Sequence, residues 1–179
     1  MQSYPQRVRD NILPLSVGST LPEAFEEWSF TERTHDHEEP IETCRLCDKE
    51  QLRYHFEIRN ALTHKTLWVG SQCILKFNLS VFEDGRRLSP ADTKKKLDRL
   101  MQQMQLQSCI KALEELAKKE DNKILLSALG YYRKNKYLTP KFAFVVLWRL
   151  QTNKVTTAHH SLRSTSKRIN TSKTLRKCL

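Results

Sequence analysis

The chain has 179 residues, 39% of them apolar, and its 31 Lys and Arg against 20 Asp and Glu give a formal charge of +11. That length suits one ordinary domain, or a small metal-stapled module joined to a helical one. No window approaches the roughly 18 consecutive apolar residues of a spanning helix, and Pro5, Arg7, Arg9 and Asp10 interrupt the N-terminus where a secretory signal would be apolar, so a cytoplasmic protein with no membrane partner is expected.

The charge is polarised along the chain. Residues 1–57 hold 6 basic and 12 acidic side chains, whereas residues 58–179 hold 25 basic and 8 acidic ones. Such a division points to a polyanion partner for the second part. Five cysteines are present, Cys44, Cys47, Cys73, Cys109 and Cys178. In a reducing compartment an odd, clustered set reads as metal ligands before disulfides.

Residues 1–40 are expected to be irregular and acidic, punctuated by Pro5, Pro14, Pro22 and Pro40. Within them, Leu21 to Trp28 can form a turn or two of helix with Pro22 near its start. Thr31 to Glu39 reads as a polar loop leading to the first cysteine. Residues 41–80 form the compact unit. Cys44-x-x-Cys47 is a tight turn, and Leu52 to Ile58 alternates apolar and polar at the strand period. Asn60 to Lys65 is a hairpin connection, Thr66 to Val69 the returning strand, and Ser71 a candidate cap for a short helix through Phe77.

Residues 86–153 read as a bundle of about three helices. Ser89-Pro90-Ala91-Asp92 starts the first with a capping hydroxyl, an early proline and an early acid. The second runs from about Lys123 to Lys134, and Thr139-Pro140 opens the third, whose Phe142, Val145, Val146, Leu147 and Leu150 make a broad apolar face. Residues 154–179 hold seven Lys or Arg and no acid, and are expected to be a disordered basic tail. The expected fold class is therefore α+β: a zinc-bound β-hairpin module, a helical bundle and a tail.

The chemistry concentrates at the cysteines. Two thiolates two residues apart can place both sulfurs on one tetrahedral ion, and Gly70-Ser71-Gln72-Cys73 brings a third after the hairpin has returned. A redox CxxC would sit between a strand and a helix, whereas this pair precedes a hairpin. The fourth ligand is open at this point. His55, out of phase with the apolar side of its strand, is the first choice; His64 is the runner-up, followed by His35, His37, a carboxylate or water. A roughly 40-residue hairpin buries too little apolar surface to fold unaided, so Zn2+ is expected to be structural. Cys109 reads as a buried helix thiol.

The order CxxC, an R-x-aromatic strand, an N-x-x-T turn and then LWVGSQCILKF resembles a treble-clef-like zinc module of small, poorly characterised bacterial and mobile-element proteins. The likeness covers residues 41–80 and implies a metal and a fold for that stretch, with no activity attached. Treble clefs commonly place two ligands at the start of the final helix; here Cys73 is the one sulfur there.

Other chemistries find little support. The four glycines, at 18, 70, 85 and 130, form no phosphate-cradling loop, and no G-x-S-x-G or HExxH is present. His35-Asp36-His37 and His159-His160 read as solvated polar sequence. The candidate nucleic-acid-binding residues are Arg86, Arg87, Lys94, Lys95 and Lys96 near the first long helix. Arg133, Lys134, Lys136 and Lys141 flank the last inter-helix turn, with Tyr131, Tyr132 and Tyr137 as candidate base-stacking groups, and Lys167 and Arg168 lie in the tail. The expected function is a non-enzymatic, nucleic-acid-associated zinc protein, DNA-binding or RNA-binding, as a subunit of a larger nucleoprotein complex. The alternatives are a protein–protein adaptor or inhibitor from a mobile element, and a zinc-dependent nuclease or hydrolase using Glu57.

Overall fold

The computed structural model describes residues 4–153 and divides into two compact units, one through Met101 and one from Gln102 onward. The fold is α+β. Helix α1 (Tyr4–Ile12), a single 3-10 turn (Leu13–Leu15) and α2 (Leu21–Glu26) lead into strand β1 (Trp28–Asp36). Strands β2 (Tyr54–Asn60) and β3 (Thr66–Val69) complete a three-stranded antiparallel sheet in the order β1-β2-β3. Helix α3 (Ser71–Lys76) and a two-stranded hairpin of β4 (Phe82–Glu83) and β5 (Arg86–Arg87) follow. Three helices end the described chain: α4 (Pro90–Glu120), α5 (Lys123–Asn135) and α6 (Pro140–Thr152).

Residues 4–36 are thus ordered elements and not the irregular segment that their prolines suggest. The prolines sit where helices tolerate them. Pro22 lies in the first turn of α2, whose Thr20 cap and Glu23 form a reciprocal capping box. Of the polar run Thr31 to Glu39 expected as a loop, Thr31 to Asp36 is strand. Its apolar alternation is broken by a bulge: Phe30 pairs with Ile58 and Thr34 with Phe56, so three residues on β1 oppose one on β2. Glu32, in the left-handed region at φ 67°, sits in that bulge.

Directly paired residues share a sheet face. One face carries Trp28, Phe30, Phe56, Ile58, Leu67 and Val69, all buried. The other carries His35 with His55, and Glu57 with Trp68. His55 and Glu57 are nonetheless buried, so β2 is covered on both sides.

The β4–β5 hairpin was not anticipated, and its second strand takes up the first two residues of the stretch, 86–153, expected to be helical. Asp84 at φ 50° and Gly85 at φ 76° form its two-residue turn, the Asp-Gly pair that such turns favour. Six α-helices are present among the described residues: the three expected of the bundle, the short α2 and α3 near where the sequence suggested brief helices, and α1, which it did not suggest. The three of the bundle lie close to their sequence-based bounds. Ser89 Oγ accepts from the Asp92 N–H at the start of α4. Asn122 caps α5, Thr139 caps α6, and Lys136 ends α5 in the left-handed conformation. In the second unit Leu113, Leu116, Ala117, Leu125, Ala128, Leu129, Val146 and Leu150 form one apolar core.

Candidate functional site

Two turns build the centre. In the first, the Cys44 carbonyl accepts from the Asp48 N–H at 2.9 Å and the Cys44 N–H donates to the Lys49 carbonyl at 2.9 Å, which folds Cys44 and Cys47 to the same side. The second turn follows β3, where Gly70 is the residue before α3 and Cys73 lies in the first turn of the helix. The two turns are locked together by backbone: the Arg45 N–H donates to the Trp68 carbonyl at 3.0 Å, and the Gly70 N–H donates to Cys44 Sγ at 3.5 Å. Gly70 packs closely on Leu52: a Cβ there would stand 3.1 Å from Leu52 Cδ1, so a larger residue would make that side-chain tip shift by a few tenths of an ångström. Ser71 does not cap α3; it is inside the helix and its hydroxyl reaches Met101 Sδ at 3.9 Å.

The result is a buried group of three sulfurs from Cys44, Cys47 and Cys73, all within 4.8 Å of one another. Cys73 Sγ is 3.6 Å from Cys44 Sγ and 3.3 Å from Cys47 Sγ. These are contacts between thiols, well beyond the ~2.05 Å of a disulfide. The three cysteines could hold a metal ion.

Electrostatics point the same way. The hydrogen bond from Cys73, with help from the Gly70 N–H, draws the Cys44 thiol down to about 5. The Cys73 thiol is pushed up, because it donates to the Cys44 sulfur and is buried beside further negative charge. In this pair Cys44 is the favoured thiolate and Cys73 its protonated donor. Three ionised sulfurs at this spacing need a cation among them.

The sulfurs line a cavity of about 560 Å³ whose wall also includes Arg7, Lys49, Arg53 and Lys76 against the single acid Asp48. Arg53 is held by Asp36 through a bidentate pair of 2.7 and 2.8 Å. A cationic wall of this kind favours sulfur in its anionic form.

Among the described residues the metal-holding group contains only the three cysteines; none of the histidines that the sequence offered is part of it. His55 is 4% exposed and its Nδ1 lies 3.1 Å from His37 Nε2. Burial first, then the neighbouring His37, lowers its pKa. His37 is lowered by burial and by His35, against which its ring packs edge-on. His64 sits at φ 60° in the β2–β3 turn, its N–H bonded to the Asn60 carbonyl. Glu57 is ion-paired with Arg33 at 3.0 Å and accepts from the Thr31 hydroxyl at 2.9 Å.

The structure sorts the basic candidates into two kinds. Lys96 is 7% exposed; its ammonium pairs with Glu32 and donates to the Phe82 carbonyl at 2.8 Å. It is an internal strut and presents no charge to a ligand. Arg87 pairs with Glu26, Lys95 with Asp92 and Arg133 with Glu114. Arg86, Lys94, Lys134, Lys136 and Lys141 are exposed and have no ion pair among the described residues. Lys167 and Arg168 lie outside the described residues.

Of the three tyrosines, Tyr131 hydrogen-bonds to Tyr137 and packs on Phe142, and Tyr132 is half-buried. The exposed aromatic side chains of α6, Phe144 and Trp148, were missed by sequence reasoning. The available signal was their spacing, three and seven residues after Lys141 and off the stripe of Ala143, Val146 and Leu150.

Compared with models of known protein families, with curated proteins and with solved structures, the chain matches none. Among the described residues no helix is long and apolar enough to cross a membrane.

Proposed function

We propose that this chain is a non-enzymatic nucleic-acid-binding protein whose sheet module is stapled by a structural zinc ion and which works as a subunit of a larger nucleoprotein complex. The observation that carries the reading is one of charge. From Asn122 to Leu179 the chain has thirteen Lys and Arg and not one Asp or Glu. Among the described cations of this stretch only Arg133 and Arg149 are engaged by carboxylates, Glu114 and Glu120 of α4; the rest are available to neutralise phosphates, which releases condensed counterions.

Zinc is the ion that best suits the donor set. Four ligands in a tetrahedron with Zn–S bonds near 2.3 Å put sulfurs about 3.8 Å apart, and the observed 3.3 and 3.6 Å need only a small expansion. Soft thiolate donors favour zinc over the hard oxygen-seeking cations. Three thiolates also quench the Lewis acidity that hydrolysis requires, and Glu57, the nearest strand acid in the sequence, is occupied by Arg33 and Thr31. Both points support a structural ion in a treble-clef-like module.

The decisive experiment is a gel-shift titration of the full chain against duplex and single-stranded DNA and RNA over a range of salt. A linear, steep fall of log affinity with log salt is expected, with a slope of about −0.9 per phosphate neutralised on duplex DNA. Absence of binding to all four ligands at low salt would remove the reading.

A further inference from the structure

Phe144 and Trp148 of α6 are 69% and 53% exposed. Large aromatic side chains in water are costly, and adjacent ones on a small protein mark a binding surface. They lie four residues apart, so their Cβ atoms are neighbours on one helix face. The opposite face of the same helix buries Ala143, Val146 and Leu150, the last two in the apolar core of its unit; the outward pair is thus surplus to folding.

What surrounds the pair selects its occupant. Lys141 precedes Phe144 by three residues and so shares its stripe. Lys134 in the last turn of α5, and Lys136 and Tyr137 in the turn that leads into α6, are all exposed. Arg149, whose guanidinium lies 5.4 Å from the Trp148 ring centre, is tied to Glu120 by a 2.9 Å bond. An apolar protein surface would find these lysines an obstacle, whereas a strand of phosphates carrying unpaired bases matches both features at once. Aromatic faces accept any base, and the flanking ammonium groups track the backbone.

Resting on the nucleic-acid reading above, we propose that α6 is a stacking platform for unpaired bases, with Phe144 and Trp148 as the two aromatic anchors and Lys141 as the phosphate contact on the same stripe. The ligand class is single-stranded polynucleotide. A duplex hides its base faces and can meet only the lysines.

The test compares the full chain with the double variant Phe144→Ala/Trp148→Ala and with the conservative Phe144→Tyr/Trp148→Phe. Each is titrated at one salt concentration with a short single strand, as DNA and as RNA, and with the corresponding duplexes. The alanine variant is expected to lose about tenfold or more in single-strand affinity, with duplex affinity within about twofold, and the conservative variant to retain the wild-type preference. Because both side chains are exposed, an unchanged melting temperature separates this loss from unfolding. Equal single-strand affinity in wild type and alanine variant overturns the platform but leaves phosphate binding standing. A wild-type dimer that the alanine variant dissolves also overturns it, by showing that the pair packs on a second copy. A wild-type chain that binds no polynucleotide overturns both readings together. The DNA and RNA arms report which sugar the platform meets.

Discussion

Glu27 shows how a single exposed-looking carboxylate organises the first unit. Its oxygens accept from the N–H groups of Val17 and Gly18 and from the Asn60 amide, which itself is fully buried. Desolvation works against the charge, yet these donors hold the carboxyl below its ordinary value. The group therefore adds stability in full above its unfolded value near 4.5, and that contribution is lost as pH falls through the lowered folded value. Glu27→Gln should cost about 1 kcal/mol at neutral pH, the low end for a charged acceptor because the group is partly solvated. Melting curves should show the difference from wild type shrinking as the pH is taken below that range; a constant gap down to strongly acid pH would refute the assignment. The cysteines make a sharper prediction. With a structural ion, Cys44→Ser or Cys73→Ser should lose stoichiometric zinc and the sheet module's cooperative unfolding, and a chelator should lower the wild-type melting temperature. Metal analysis that finds one zinc per chain in both variants would exclude the three-sulfur centre.

At the scale of elements, Lys96 separates a structural cation from a binding one. Its ammonium bridges the β1 bulge, through Glu32, and the β4–β5 hairpin, through the Phe82 carbonyl and Glu83. Lys96→Met should destabilise the chain by about 1–3 kcal/mol while leaving the salt dependence of nucleic-acid binding unchanged; a reduced salt slope with intact stability would return Lys96 to the surface. In the sequence Lys94, Lys95 and Lys96 are indistinguishable, since burial of one lysine in a run is decided by partners far away in the chain. The same limit explains β1. Its pairing with β2 is a long-range fact, and the bulge between Phe30 and Thr34 removes the period-2 signal that would have announced it. What could be read was local: the capped starts of α4 and α6, the span of α5, the Asn60-x-x-Thr63 turn, and the three cysteines. Asn60 Oδ1 does accept from the N–H groups of Leu62 and Thr63; that the Thr63 hydroxyl also donates to the Leu15 carbonyl was beyond reach. The choice of His55 as a ligand failed to anticipate its partner. A polar position on a strand reads as available, but His37, the residue just after β1, brings its ring within 3.1 Å of the His55 ring.

Across the whole molecule, charge is arranged in sequence as if to keep one end free of competition. In the first unit three of the five cations that the sequence nominated have an acid beside them: Arg87 with Glu26, Lys95 with Asp92, Lys96 with Glu32. Arg86, though exposed, is paired in the hairpin ladder with Glu83. Beyond Asn122 the sequence itself has no acid, and among the described residues only Arg133 and Arg149 there are ion-paired, with Glu114 and Glu120 of α4. Phosphate binding should therefore depend on the C-terminal cations far more than on those near α4. Replacing Lys134, Lys136 and Lys141 together by Gln should weaken binding evenly across sequences and lower the salt slope by up to about three. Replacing Arg86 and Lys94 should change the slope by less than about one, because nearby carboxylates already repel phosphate and screening limits the reach of an isolated charge to roughly 8–10 Å. Gel shifts of both variants over the same salt series decide the matter. If the Arg86/Lys94 variant loses more slope than the C-terminal one, phosphate lies against the first unit, and the acid-free stretch is not the surface that binds it.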